Sequence, residues 1–381
     1  MIKVLVTAHL GRHFRIFGHY DYKVLLQLGY EVHIAANFRD GIDHFFAPPA
    51  VTMHQIDFDR NPLSWKNFKA LKQLIGLLSK HRFDLIHTQS PVGGVITRIA
   101  AIKARRTGTK VVYTAHGFHF FYGSSLSNWL FYYTIEKFLS LFTDRILTIN
   151  NEDLEIAQRK FSPAITSYIP GVGVDLSRFS PAGELEKANL RTQMGFSLDS
   201  FLLICVGEFN PGKQQDVLIS AMRYLIPSIP ECHLILVGTG VLLEKLESLA
   251  QKMGVAGQVH FLGYRNDIDL LLKASDVALS ASVREGLPLS LMEAMATGLP
   301  LVVTNCRGNR DLVFDGQNGF VVNLGDAMAF AQAIEKLFCD RELVKSFKKK
   351  TLELVKKFSI ETVEEEMKKI YGEILQSEGD C

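Results

Sequence analysis

Cysteine is scarce in this 381-residue chain, and its five residues (Cys205, Cys232, Cys306, Cys339 and Cys381) follow no paired spacing. That argues against a disulfide framework and a zinc site, and suits a reducing compartment. No uninterrupted apolar run approaches the roughly 20 residues needed to cross a bilayer. The opening Met1-Ile2-Lys3-Val4-Leu5-Val6-Thr7 reads as a strand rather than a signal peptide. No strand is followed by G-x-G-x-x-G, because Gly238-Thr239-Gly240 runs on to Val241-Leu242-Leu243. This weighs against an NAD-dependent oxidoreductase. No acidic cluster suited to holding Mg²⁺ is found either.

What is present is a globular composition, 47% apolar and 22% charged, at a length that favours two domains. The net charge of +2 conceals an asymmetry. Residues 1–180 carry 21 Lys/Arg against 13 Asp/Glu, a balance of +8; of the chain's 42 and 40, the remainder keeps 21 and 27, a balance of −6. A basic first half points to an anionic partner, nucleic acid or a membrane surface, and the acidic second half disfavours nucleic acid.

The first half alternates apolar runs (3–7, 31–35, 85–88, 111–114, 145–149) with amphipathic stretches such as 65–78 and 92–105. Such alternation predicts a parallel sheet covered on both faces, with ligands beyond the carboxyl ends of its strands. His9, His13, His87, His116 and His119 all fall near those presumed ends. Residues 124–142 are strongly aromatic (Trp129, Phe131, Tyr132, Tyr133, Phe138, Phe142). They fit either a buried helix on the sheet or an aromatic face resting in a membrane interface. A Gly/Pro-rich break at Tyr168–Asp175 separates this half from a second alternation at 201–206, 233–237, 259–262, 276–280 and 301–304. From Arg341 the pattern is helical and charged, and Ser359 suits the cap of a last helix.

The most informative stretch is Val283-Arg284-Glu285-Gly286-Leu287-Pro288-Leu289-Ser290-Leu291-Met292-Glu293, continuing to Ala294-Met295-Ala296-Thr297-Gly298-Leu299-Pro300. It lies between two apolar strands. Pro288 suits the first position of a helix, and the turn at Gly286 would present backbone N–H groups to an anion. Glu285 and Glu293 flank that place. Together they suit a ligand with both phosphate and hydroxyl groups, although acidic residues near a helix start are also ordinary caps.

With its flanks, this string resembles the E-x7-E signature of retaining glycosyltransferase family 4. The resemblance implies a GT-B architecture, in which two Rossmann-like domains face each other across a cleft: residues 1–175 for the acceptor, 176–358 for the donor, and a terminal helix (about 359–381) returning to the first. It implies transfer of a sugar from a nucleotide-diphosphate donor with retention, without a metal or other cofactor. His116, in Tyr-Thr-Ala-His-Gly, and Glu285 match the family's catalytic positions. Gly207, Lys213, Arg265, Gly286, Leu287, Pro288, Leu289 and Glu293 fall on the donor side, and Gly11, His13 and Arg15 on the acceptor side. The Thr-Ala-His-Gly-Phe-His-Phe and Pro-Val-Gly-Gly segments resemble bacterial members that extend exopolysaccharide or capsular units on a polyprenyl diphosphate. This implies a UDP-sugar, a lipid-linked acceptor and a cytoplasmic enzyme on an anionic membrane surface. A GT-B nucleotide-sugar epimerase or hydrolase is the alternative. One position departs from the pattern: where the family carries Gly-Arg, this chain has Gly207-Glu208. Arg265, Arg284, Arg307 and Arg310 are candidates to neutralise Glu208 or replace the missing cation.

Overall fold

The computed structural model describes residues 1–39, 47–62, 64–161 and 165–376. The chain separates into two compact units, one of Met1–Val172 with the chain from Ile360 onward, the other of Gly173–Ser359. The last helix is Ile360–Gln376. The rest of the expected terminal helix, with Cys381, lies outside the described residues.

The first unit is built on β1 (Lys3–Leu10), β2 (Glu31–Asn37), β3 (Val51–Gln55), β4 (Leu85–Gln89), β5 (Lys110–Ala115), β6 (Arg145–Thr148) and β7 (Ile165–Tyr168). They form one sheet in the order β3-β2-β1-β4-β5-β6-β7, parallel throughout. The central strands are buried along almost their whole length, which is why they read as unbroken apolar runs. The order reverses where β1 meets β4, with Val4 opposite Leu85 and Thr7 opposite Thr88. The second unit repeats the plan with β8 (Phe201–Val206), β9 (Cys232–Val237), β10 (Val259–Phe261), β11 (Val277–Ser280), β12 (Leu301–Thr304) and β13 (Gly319–Val322). Its order is β10-β9-β8-β11-β12-β13, with the reversal between β8 and β11. In a doubly wound sheet such a reversal opens a crevice beyond the strand ends.

The last helix packs on the first unit through a fully buried tyrosine. Tyr371 Oη lies 2.7 Å from His87 Nδ1, and His87 Nε2 lies 2.7 Å from Thr114 Oγ1. Burial holds His87 neutral, its pKa lowered to about 4. The expectation that His87 belongs to the strand-end group is therefore corrected: it sits inside β4 as an anchor for the helix. Lys23–Glu364 and Arg145–Glu373 add exposed ion pairs to the same contact. Phe358 belongs to the second unit, where its carbonyl accepts the Val174 N–H at 2.8 Å.

Residues 126–140 form one continuous helix whose central turn, Trp129–Tyr133, is π-helical. Trp129 and Tyr133 pack against Phe120 on the sheet side. Leu126, Leu130, Phe131 and Phe138 are exposed. The buried-helix reading holds for one face only.

Candidate active site

In the second unit the reversal point is lined by two turns. One follows β8 and runs from Gly207 to Gln214; the other follows β11 and runs from Ala281 to Pro288. They are tied by the Val283 N–H donating to the Gly212 carbonyl at 2.9 Å. Across this tie Lys213 Nζ donates to Glu285 Oε1 at 2.5 Å, both side chains largely buried. Below them the Arg307 guanidinium, itself buried, donates to the Glu285 carbonyl at 3.1 Å. The turn is thus held from two sides while the carboxylate and ammonium meet at its rim.

Close backbone approaches shape this rim. Gly308 has φ +81°, and a Cβ there would stand 2.6 Å from the Gly286 carbonyl oxygen. Gly238, at φ +147°, would place a Cβ 2.0 Å from the Gly207 carbonyl oxygen. Only glycine permits either crossing.

The helix after the second turn is Leu289–Ala296, and Pro288 is its N-cap, with extended ψ of 115°. The expected first helical position belongs to Leu289, one residue later. Pro288 instead supplies the carbonyl that accepts from Leu291 and Met292 N–H at 3.2 Å. No side chain caps the helix, and the N–H groups of Leu289 and Ser290 have no acceptor inside it. Glu285 is therefore Lys213's partner and not a cap. Glu293 lies just over one turn inside. Its carboxylate forms no hydrogen bond among the described residues, and burial raises its pKa to about 7 against the pull of Arg178. A half-buried acceptor without a partner suits a ligand hydroxyl.

Three further arginines weighed for this rim are exposed. Arg265 is exposed and pairs with Asp267 in its own loop, Nε to Oδ1 at 2.8 Å. Arg284 is exposed, and Arg310 donates to Asn305 Oδ1 at 3.2 Å. Glu208 is exposed and makes no ion pair among the described residues, so none of the four arginines neutralises it.

In the first unit the strand ends carry a different chemistry. His116 follows β5, and its Nε2 lies 2.7 Å from Gln89 Oε1, which also accepts from Tyr20 Oη at 2.8 Å. The Gln89 amide nitrogen donates to Asp21, a fully buried carboxylate that also meets His13 Nε2 at 3.3 Å. A carboxylate only accepts, so Gln89 must turn its amide to Asp21 and its carbonyl to His116. His116 then carries its proton on Nε2 and offers the Nδ1 lone pair. Burial, with repulsion from His13, lowers its pKa to about 3, so the ring is neutral. Phe17 stacks on it, with centroids 5.8 Å apart. Gly11 is buried, its N–H bonded to the Asn37 carbonyl at 3.0 Å, and Arg15 points outward. Asp21, Gln89 and Tyr20 were not among the expected site residues. The only signal was an Asp between two tyrosines, His19-Tyr20-Asp21-Tyr22.

Among the described residues two non-glycine residues take positive φ, Ser90 (73°) and Gln214 (47°). Ser90 follows β4 and Gln214 ends the turn after β8. Each unit therefore keeps one strained residue at its reversal point.

The family model Glycosyltransferase Family 4 matches residues 22–178, and Glycosyl transferases group 1 matches residues 186–353. The chain is 38% identical over 371 residues to EpsD of Bacillus subtilis, named as a glycosyltransferase, covering 97% of this chain and 96% of that protein. The chain belongs to the glycosyltransferases. This glycosyltransferase is also 35% identical over 339 residues to an Escherichia coli enzyme, the UDP-Gal:alpha-D-GlcNAc-diphosphoundecaprenol alpha-1,3-galactosyltransferase, covering 87% and 84% of the two chains. Among solved structures, Anabaena HepE in complex with UDP superposes with a TM-score of 0.79 at 19% identity, covering 98% of this chain and all of that one. Sucrose-phosphate synthase from Thermosynechococcus elongatus gives 0.81 at 19% identity over 99% of this chain and all of that one. At that identity the likeness carries the fold, an α/β GT-B fold of two Rossmann-like domains. The epimerase and oxidoreductase alternatives are not favoured. Among the described residues no helix is long and apolar enough to cross a membrane, and no three His, Cys, Asp or Glu side chains are grouped to hold a metal.

Proposed function

We propose that this glycosyltransferase moves a hexose or N-acetylhexosamine from a UDP-sugar to a glycan carried on a polyprenyl diphosphate, with retention, in exopolysaccharide or capsule assembly. It works without a metal, in the cytoplasm at the inner face of the membrane. One observation carries this reading: Lys213, Glu285 and the open first turn of the 289–296 helix converge at the reversal point of the second unit. A diphosphate arriving there finds an ammonium group and two N–H groups that have no acceptor within the helix, at its positive end. Glu285 then exchanges its ion pair for sugar hydroxyls, and Glu293 accepts from the ribose. The leaving diphosphate, held by fixed donors, builds up charge where it is stabilised. Its oxygen takes the acceptor's proton on the face the sugar leaves, so no protein base is assigned. His116, neutral with Nδ1 open, accepts a hydrogen bond from a substrate hydroxyl. The acceptor side of the first unit is placed at Gly11, His13 and Arg15.

The choice of UDP and of a lipid-linked acceptor follows the Escherichia coli relative's named substrates. The test is incubation with UDP-, GDP- and ADP-sugars, followed by transfer to a short-chain analogue of GlcNAc diphosphate lipid in the presence of EDTA. NMR of the product then reads the anomeric configuration. Transfer from a UDP-sugar with retention is expected. Hydrolysis or epimerisation of the donor without transfer, an inverted product, or loss of activity with EDTA would each overturn part of the reading.

A further inference from the structure

At the other end of the second unit's sheet from the donor turns lies a cavity of about 760 Å³, a size usual for a small-molecule site. Its wall includes Phe201 and Val277, the first residues of β8 and β11, whereas the donor turns follow the last residues of those strands. The proposed reaction makes no use of it. Its apolar side chains include Leu272, Leu299 and Leu337, all buried, and Leu198 and Phe338, which are 59% and 44% exposed.

Its polar groups divide into those already paired and those left open. Six basic side chains line it against three carboxylates. Arg191, buried, is committed to its surroundings: it donates to the carbonyls of Ala274, Leu198 and Ser200 at 3.0, 3.0 and 2.9 Å, and to Asp276 Oδ2 at 2.6 Å. Lys187 shares Asp276, Lys273 holds Glu186, and Lys345 holds Glu342. Arg341 and Lys348 form no ion pair among the described residues. The other two carboxylates of the lining, Glu184 and Asp199, are exposed, as these two cations are. The Ser200 hydroxyl is a third open group: the residue is 3% exposed, and its Oγ has no hydrogen-bond partner. A buried hydroxyl is costly until a ligand or water meets it.

We infer that this cavity is an effector site for a small organic anion, a phosphate ester or carboxylate on an apolar body, coupled to the donor turns through the 289–296 helix. The planar fork of Arg341 matches either anion, and Lys348 adds a point charge. The apolar body covers Leu198 and Phe338. The coupling is short. Thr297 and Gly298 line the cavity at the carboxyl end of that helix. The Thr297 N–H donates to the Glu293 carbonyl at 3.2 Å, and its hydroxyl to the Ala294 carbonyl at 2.8 Å. The Lys348 stem lies across the same end, since a Cβ at Gly298 would stand 3.2 Å from its Cγ. An anion that binds this ammonium changes the charge at one end of the helix whose first turn meets the donor. The inference rests on the proposed reaction only for UDP as the ligand of the donor turns.

The test is calorimetry with phenyl phosphate, benzoate, inorganic phosphate and benzyl alcohol, each with and without saturating UDP. At least one of the two aromatic anions should bind a single site with UDP present, more tightly than inorganic phosphate or benzyl alcohol. Whichever binds better tells phosphate ester from carboxylate. R341E/K348E should weaken that binding at least about tenfold, and Ser200→Ala about fivefold. Lys213→Ala should leave it unchanged. Thermal unfolding and UDP affinity without probe check that each variant is folded. The coupling reads as a change of about fivefold or more in UDP affinity at saturating probe, matched by the same factor in probe affinity at saturating UDP. It should vanish in R341E/K348E. A probe affinity that keeps falling in proportion to UDP is competition at the donor turns and would overturn the inference. So would unchanged binding in R341E/K348E, no binding by either aromatic anion, or a UDP affinity indifferent to the bound probe. If UDP itself does not bind, the donor reading fails, while loss of probe binding in R341E/K348E still decides for the cavity.

Discussion

In the second unit the strand ends present a lysine, glycine-rich turns and the first turn of a helix; in the first, at the equivalent reversal of an equally parallel sheet, they present histidines around a buried carboxylate. One topology therefore supports two kinds of recognition. In the second unit Lys213 is held by Glu285, which would compete with any anion that reached it. The first unit spends its polarity on orienting uncharged groups, since Asp21 fixes Gln89 and Gln89 fixes His116. The fold locates the crevice, and the residues just after each strand decide what it binds.

The contrast breaks most easily at Lys213. Lys213→Ala should weaken UDP binding about ten- to hundredfold by calorimetry, the range for a lost charge-assisted contact of about 1.5–3 kcal/mol. Glu285→Gln releases Lys213, so free UDP should bind no more weakly while sugar transfer falls. If UDP affinity falls as far in Glu285→Gln as in Lys213→Ala, the competition between carboxylate and phosphate is wrong.

A smaller effect is expected from the anchor of the last helix. Tyr371→Phe strips the buried His87 Nδ1 of its partner and should destabilise the first unit by about 1–3 kcal/mol in denaturant melts. UDP affinity should be unchanged.

The buried histidines of the first unit and Glu293 of the second should also respond to pH with opposite slopes. His9, His87 and His116 have pKa values lowered to about 4, 4 and 3. Between their unfolded value near 6.5 and those values, the unfolded chain binds the extra protons, so stability falls as the pH drops. Glu293 behaves the other way, with a folded pKa of about 7 against an ordinary 4.5. The native state holds that proton through the window, so its contribution falls as the pH rises from 4.5 to 7. Glu293→Gln should raise the melting temperature at pH 8 and leave it unchanged at pH 4.5, and His116→Gln should flatten the acid limb. An equal shift from Glu293→Gln at both pH values would remove the charge as the cause.

The smallest effect is expected at Glu208. Its carboxylate is exposed and unpaired, so Glu208→Ala should change UDP affinity less than twofold. A larger gain would show that it repels the diphosphate in solution.

Much of this was legible in the sequence where burial is complete. The central strands of both sheets read directly as apolar runs. The three strands that escaped notice, β3, β7 and β13, are all edge strands and only partly buried, as in Val51-Thr52-Met53-His54-Gln55. The rim of Gly207, Lys213, Glu285 and Glu293 was readable because consecutive turns in a doubly wound sheet fall at one end. That Lys213 rests on Glu285 was not, since the two are 72 residues apart. Asp21 and Gln89 were invisible as a pair for the same reason. The aromatic helix misled because both of its faces are apolar, and composition cannot tell the covered one from the open one.

The return of the last helix to the first unit has a consequence for the order in which the molecule is made. On the ribosome, residues 1–172 emerge first and finish last: His87 waits in β4 for a hydroxyl encoded 284 positions downstream. Everything in Gly173–Ser359 is synthesised during that wait and needs nothing from beyond it to form its own sheet. The first unit therefore gains its last element only after the whole of the second has been made. A chain stalled after Ser359 would carry all of the second unit and lack the helix, with its Tyr371, that completes the first.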